Sequence, residues 1–132
     1  MTTLYFASYR ETQNHGSGKK IAIATSKPDE TKIDGAFKPF VPLQEITDEY
    51  RRLQLEDQKK ASDFFVSNYK KQLDDFFYEI KESATKQEKT VQDILPFQDG
   101  DTFLTWERYG YTSIRPMLSS YLEKEGYKII LR

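Results

Sequence analysis

Apolar positions along the chain change period several times, and each change marks an element. Residues 3–10, TLYFASYR, alternate at period two, with Leu4, Phe6 and Ser8 on one side and Tyr5, Ala7 and Tyr9 on the other. Both sides are largely apolar, which predicts a strand covered on both faces. Residues 20–26, KIAIATS, predict a second strand in which Ile21, Ala22, Ile23 and Ala24 form a continuous buried run ended by Lys27-Pro28. Residues 29–41 read as an irregular excursion anchored by Phe37 and Phe40. Pro42 then stands where a helix begins, with Leu43, Ile46, Tyr50 and Leu53 at helical spacing. The longest helical pattern runs from Asp57 to Thr85, with Ala61, Phe65, Tyr69, Leu73, Phe76, Phe77 and Ile80 as one apolar stripe. Lysines and aspartates fill the rest of that helix, the pattern of core packing with a solvated face. Residues 84–100 read as a linker with a short apolar patch at Val91, Ile94, Leu95 and Phe97 and a turn at Asp99-Gly100.

The stretch from Asp101 to Leu131 organises the remainder. Thr102 to Trp106 predict a strand, and Thr112 or Ser113 caps a helix whose buried face is Met117, Leu118, Tyr121 and Leu122. Pro116 fits its first turn, Gly126 its C′ position, and Tyr127 to Leu131 a last strand. Strand, helix and strand over this length form a right-handed parallel βαβ unit. The first two strands are joined by too few residues for an ordinary helical crossover, so their relative direction stays open. The expected architecture is α/β: a small, mostly parallel sheet with flanking helices, a Rossmann-like layered single domain over residues 1–132.

Composition narrows the chemistry. The chain is 37% hydrophobic and 31% charged, with nine Tyr, nine Phe and one Trp, so the core leans on large rings. A formal net charge of -1 gives no footprint for duplex nucleic acid, which is not expected as a partner. With no Cys, disulfides, thiol nucleophiles and thiolate metal sites are excluded, and a single His makes a transition-metal site improbable. No apolar run approaches the roughly 18 residues of a membrane span, and no signal-peptide pattern opens the chain. The expectation is a cytoplasmic protein with no cofactor, no metal and no membrane partner. The segment His15 to Lys20, HGSGKK, superficially suggests a phosphate loop, but it lacks the required spacing and leads into no helix. It reads as a connection.

In open α/β sheets ligands bind beyond the carboxyl ends of the strands. If the first strands run parallel to the third, those ends gather Ser8, Tyr9 and Arg10 with Ser26, Lys27, Glu107 and Arg108. The helix beginning near Ser113 points its free amides and dipole at the same crevice, and Arg115 joins them in an anion site. Tyr109 and Tyr111 offer stacking surface for a base or sugar. The candidate ligand-binding set is therefore Ser8, Tyr9, Arg10, Ser26, Lys27, Glu107, Tyr111, Ser113 and Arg115, with no catalytic residue assigned. Each has a plainer role: Ser113 as a helix cap, Arg115 as a pin to Glu107, Trp106 as core.

The same stretch resembles the domain-of-unknown-function family 488 in its short form. Members end in a pattern like Leu-Leu-Cys-Tyr-Glu, then Phe-Cys-His-Arg, a helix and a final strand. The corresponding segments are FLTWE at Phe103 to Glu107, TSIR at Thr112 to Arg115, and PMLSSYLEKEGYKIIL. Upstream, YFASY at Tyr5 to Tyr9 is similar to the family's Tyr-x-Ser-Tyr strand. IAIATSKP, ending at Pro28, is similar to its Ile-Ser-Ile-Ala strand, and FKPFVP at Phe37 to Pro42 to its Lys-x-Leu-x-Pro segment. Thr105 and Ser113 stand where the family has cysteines and Ile114 where it has histidine; Glu107 and Arg115 keep the family's polar identity. The resemblance implies a fold and a site more than a reaction.

Three functions follow as expectations. One is a small-molecule or nucleotide/anion-binding domain, either without catalysis or with carboxylate and Tyr chemistry centred on Glu107. Another is a protein-interaction module from a degenerate enzyme-like family, with the aromatic segment 35–41 as its contact surface. The third is a nucleic-acid processing accessory using Lys19, Lys20, Arg51 and Arg52, against which the overall charge argues.

Overall fold

The computed structural model describes residues 2–8, 17–23, 33–105 and 114–131. Five strands, β1 (Thr3–Ser8), β2 (Lys20–Ala22), β3 (Gly35–Ala36), β4 (Thr102–Thr105) and β5 (Lys128–Leu131), form one sheet in the order β3-β2-β4-β1-β5. Every pairing is parallel, which settles the direction of the first two strands. The fold is α/β as expected. Among the described residues four α-helices complete it: α1 (Gln44–Gln54), α2 (Gln58–Lys86), α3 (Val91–Ile94) and α4 (Ile114–Lys124). No described helix is long and apolar enough to cross a membrane.

The connections β3→β4 and β4→β5 both step in the same direction across the sheet, passing over β2 and over β1. Right-handed crossovers then place their helices on one face, and α2 does pack against both α1 and α4. Leu4 and Phe6 of β1 and Phe103 of β4 point into that layer, together with Phe65, Tyr69, Leu73 and Phe77 of α2 and Leu118 and Leu122 of α4. Ala7, Ala22 and Leu104 form a smaller buried cluster with Ile33 on the opposite face. Both faces of β1 and β4 are thus covered, matching their unbroken apolar runs.

Local chemistry explains where the elements begin and end. Asp57 caps α2 by accepting from the amides of Lys59 and Lys60, and Thr90 and Asp93 form a reciprocal capping box on α3. Gly126, with φ of 94°, ends α4 in the left-handed conformation that only glycine adopts cheaply. The predicted helices hold to within a few residues of α1, α2 and α4.

Four expectations are corrected. The irregular 29–41 excursion contains edge strand β3 and a 3-10 turn at Lys38–Phe40, and the 84–100 linker contains α3. Leu43, read as the first apolar position of α1, is 49% exposed because the helix starts at Gln44 and leaves it at the cap. The βαβ unit is parallel as expected, with β1 between its strands β4 and β5. The 35–41 segment is not an open aromatic surface. Phe40 is fully buried, and Phe37 packs edge-on against it and against Phe76 and Phe97 at ring distances of 4.7, 5.8 and 4.9 Å. The backbone there is tied down as well. The Tyr69 hydroxyl donates to the Phe40 carbonyl at 2.6 Å. Gln72 donates to the carbonyls of Pro39 and Val41 and accepts from the Leu43 amide.

One helix contact is pH-sensitive. The Tyr121 hydroxyl of α4 donates to the Asp74 carboxylate of α2, its ring stacks 5.2 Å from Phe77, and the Lys124 ammonium lies 5.7 Å over it. The Tyr121 hydrogen bond, with Lys70 adding to it, holds the Asp74 carboxyl below its ordinary value. Burial and then Asp74 hold the Tyr121 hydroxyl above its own. A depressed carboxyl contributes stability above its unfolded pKa of about 3.9 and loses it as pH falls through the folded value. A raised phenol contributes below its unfolded pKa of about 10 and loses it as pH rises further. Asp74→Asn is therefore expected to flatten the loss of stability on the acid side, checked by urea denaturation at a series of pH values. The effect is modest, because the Asp74 side chain is 50% exposed and screened.

Candidate functional site

Parallel pairing of β1 with β4 puts Ser8 in register with Thr105, the last residues of the two central strands. Both are buried, at 1% and 0% exposure. Each shares its strand parity with Phe6 and Phe103, so both side chains lie on the helix-covered face. Arg115, in the first turn of α4, is 3% exposed, and its Nε donates to the Thr105 hydroxyl oxygen at 3.3 Å. A guanidinium, two hydroxyls and a helix amino end thus meet at the carboxyl ends of the central strands. In open α/β sheets ligands bind beyond this end of the strands.

A guanidinium stripped of water beside the partial positive charge of a helix amino end is held there by the groups it bonds, the Thr105 hydroxyl among them. The five-donor fork of arginine suits carboxylate and phosphate oxygens, which makes anion recognition the chemistry this corner is equipped for.

Of the predicted site, the structure brings Ser8 and Arg115 together. Tyr9, Arg10, Ser26, Lys27, Glu107, Tyr111 and Ser113 lie outside the described residues, as do Trp106 and Tyr109. The anticipated partnership of Arg115 with Glu107 falls there too. Thr105 is the site residue that sequence reasoning missed as a polar partner. It occupies a cysteine position of the resembled family, and its place at the end of a buried apolar strand was the available signal.

Arg115 was expected at the helix start, outside the buried stripe of α4, and it lies inside the protein. The buried set of α4 is Ile114, Arg115, Leu118, Ser119 and Leu122, while Met117 and Tyr121 are half-buried. The stripe is thus turned toward Arg115, which stands three and seven residues before Leu118 and Leu122, a spacing that puts all three on one face.

Clefts among the described residues lie elsewhere. One of about 160 Å³ sits at the amino edge of the sheet between Lys19, Asp34, Phe37 and Phe97. Another, about 250 Å³, separates the start of α1 from α2 around Leu43, Phe64 and Lys71. Of the basic residues, Lys19 and Lys20 stand at the start of β2, and Arg51 and Arg52 in the last turn of α1. Arg52 is engaged by Glu49 at 2.6 Å and by Glu56 at 3.5 Å. Among the described residues no cluster of His, Asp and Glu is placed to hold a metal ion.

No protein-family model, no curated protein and no solved structure matches this chain.

Proposed function

We propose that the chain is a small-molecule-binding α/β domain whose ligand carries an anionic group, such as a nucleotide or phosphorylated metabolite, and that it binds without turning the ligand over. One observation carries this reading: a guanidinium 3% exposed stands at the amino end of α4, over the carboxyl ends of β1 and β4. Its planar fork of donors matches the oxygens of a phosphate or carboxylate. The buried hydroxyls of Ser8 and Thr105 supply the neutral donors and acceptors that fix a ligand's orientation. The resemblance to domain-of-unknown-function family 488 belongs to the same proposal. Thr105, Ser113 and Ile114, in place of two cysteines and a histidine, favour recognition over catalysis. A cytoplasmic setting is part of it, supported by the cysteine-free composition.

The test is a thermal-shift series with nucleoside phosphates, sugar phosphates and inorganic phosphate on wild type and Arg115→Met. A ligand at a hundred times its Kd stabilises by about 2.7 kcal/mol, a rise of several degrees in Tm for a chain of this size. The expected result is such a rise for wild type and none for Arg115→Met. A wild type that no compound stabilises removes the reading.

A further inference from the structure

The two edges of the sheet are built differently. β3 is two residues long, Gly35 and Ala36, both small and exposed, and so short an edge offers little template for another strand. β5 at the other edge is Lys128-Ile129-Ile130-Leu131. Ile129 and Ile130 are half-buried, Leu131 is 53% exposed, and among the described residues no strand pairs with the outer side.

The direction of the β5 peptide groups follows from its inner partner. The Lys128 amide donates to the Thr2 carbonyl at 2.9 Å, and the register sets Lys128 beside Thr3 and Ile130 beside Tyr5. Lys128 and Ile130 therefore turn their peptide groups toward β1. Alternation along the strand leaves those of Ile129 and Leu131 facing outward. Two outward peptide units on an apolar strand are a template for one more strand.

We propose that β5 pairs antiparallel with β5 of a second copy of this chain, about a two-fold axis passing through Ile130. The occupant is a second copy because the edge is self-complementary under that operation. A two-fold through residue 130 sets Ile129 opposite Leu131 of the other copy, and Leu131 opposite its Ile129. Those are the residues whose peptide groups face outward, so each pair exchanges two hydrogen bonds. Ile129 and Leu131 stand in register with Leu4 and Phe6, on the helix-covered side, so apolar side chains meet on one face. Ile130 meets Ile130 on the other face. No charged position falls within the three paired residues, and the contact is isologous and closed. Lys128 stands just beyond the pairing and limits its extension.

The chain has no Cys, so single cysteines report the register directly. The central pair is non-hydrogen-bonded, with Cα atoms about 4.5 Å apart, within disulfide reach, whereas two copies of position 129 are offset along the strand. Under mild oxidation Ile130→Cys is expected to form a covalent dimer at least ten times faster than Ile129→Cys. In sedimentation equilibrium the wild type runs at twice the chain mass. Ile130→Lys and Ile130→Glu each run as folded monomers by circular dichroism, and an equal mixture of the two returns to the doubled mass. A wild type that stays at the single-chain mass at every concentration overturns the proposal. So does a dimer that persists unchanged in Ile130→Lys, or equal cross-linking at positions 129 and 130. If either charge variant fails to fold, the cysteine pair decides alone.

Discussion

Phe40→Ala is expected to lower unfolding stability by about 3–5 kcal/mol, the loss typical of a buried ring truncated to a methyl. That is a large share of the roughly 5–15 kcal/mol that holds an ordinary domain together. Phe40 has no exposed surface, and its ring lies 4.7 Å from Phe37, 5.4 Å from Phe76, 5.6 Å from Phe97 and 5.8 Å from both Phe77 and Phe103. These neighbours come from the 3-10 turn approach, α2, the segment before β4 and β4 itself. No single element is able to move in and fill the space, so the cavity persists and the cost stays near the top of its range. Urea denaturation followed by circular dichroism measures it. Tyr78→Ala is the control: that side chain is 63% exposed on α2, and its removal changes stability by no more than about 0.5 kcal/mol. A Phe40→Ala cost below about 1.5 kcal/mol would mean that the aromatic cluster repacks as a fluid core does.

The contrast between Phe40 and α2 shows what sequence pattern conveys. The stripe Ala61, Phe65, Tyr69, Leu73, Phe76, Phe77 and Ile80 is read from spacing alone, because a helix closes its hydrogen bonds within itself and only needs one apolar face. Phe76 and Ile80, at its margin, are half-buried and the others buried. Segment 35–41 has no such period. Its burial depends on Gln72 and Tyr69 of α2, some thirty residues away, and on ring contacts with Phe97. Edge strand β3 is equally silent, since two residues carry no alternation and exist as strand only by pairing with Ile21 and Ala22. Strand direction was illegible for the same reason: β1 and β2 never touch, and each is aligned by β4, eighty residues downstream of β2. The site divides likewise. Arg115 at a helix start was readable, and so was its crevice once the strands were taken as parallel. Its burial was readable only by placing a cation on the same helical stripe as Leu118 and Leu122, which apolar periodicity is designed to skip.

The alignment of those strands leads to the second large effect, at the amino edge of the sheet. Asp101→Ala is expected to cost about 2–5 kcal/mol, because two amides of a tight loop lose their acceptor together. Asp101 is 2% exposed; its Oδ1 accepts from the Lys19 amide and its Oδ2 from the Gln98 amide, each at 2.9 Å. The same short segment carries the main-chain links that set register: the Tyr5 amide to the Asp101 carbonyl, the Thr102 amide to the Lys19 carbonyl, and the Gly18 amide to the Gly100 carbonyl. One carboxyl group thereby positions the start of β2 against β4, and β4 positions β1. Asp101→Asn retains a single acceptor and turns an NH2 toward an amide donor, so it falls between wild type and Asp101→Ala. Gly18 tests the same knot from the other side. A Cβ there would lie 2.5 Å from the Asp101 Oδ1 and 2.8 Å from the Asp101 nitrogen and Gly100 carbonyl carbon, so Gly18→Ala forces the loop apart. Both changes break one junction, and the double variant is expected to cost less than the sum of the two. Hydrogen exchange locates the damage: the Tyr5 and Thr102 amides exchange faster in either variant, while those of the α2 interior hold until global unfolding. Additive costs, or loss of protection spread evenly through α2, would show that this junction does not hold the register of the sheet.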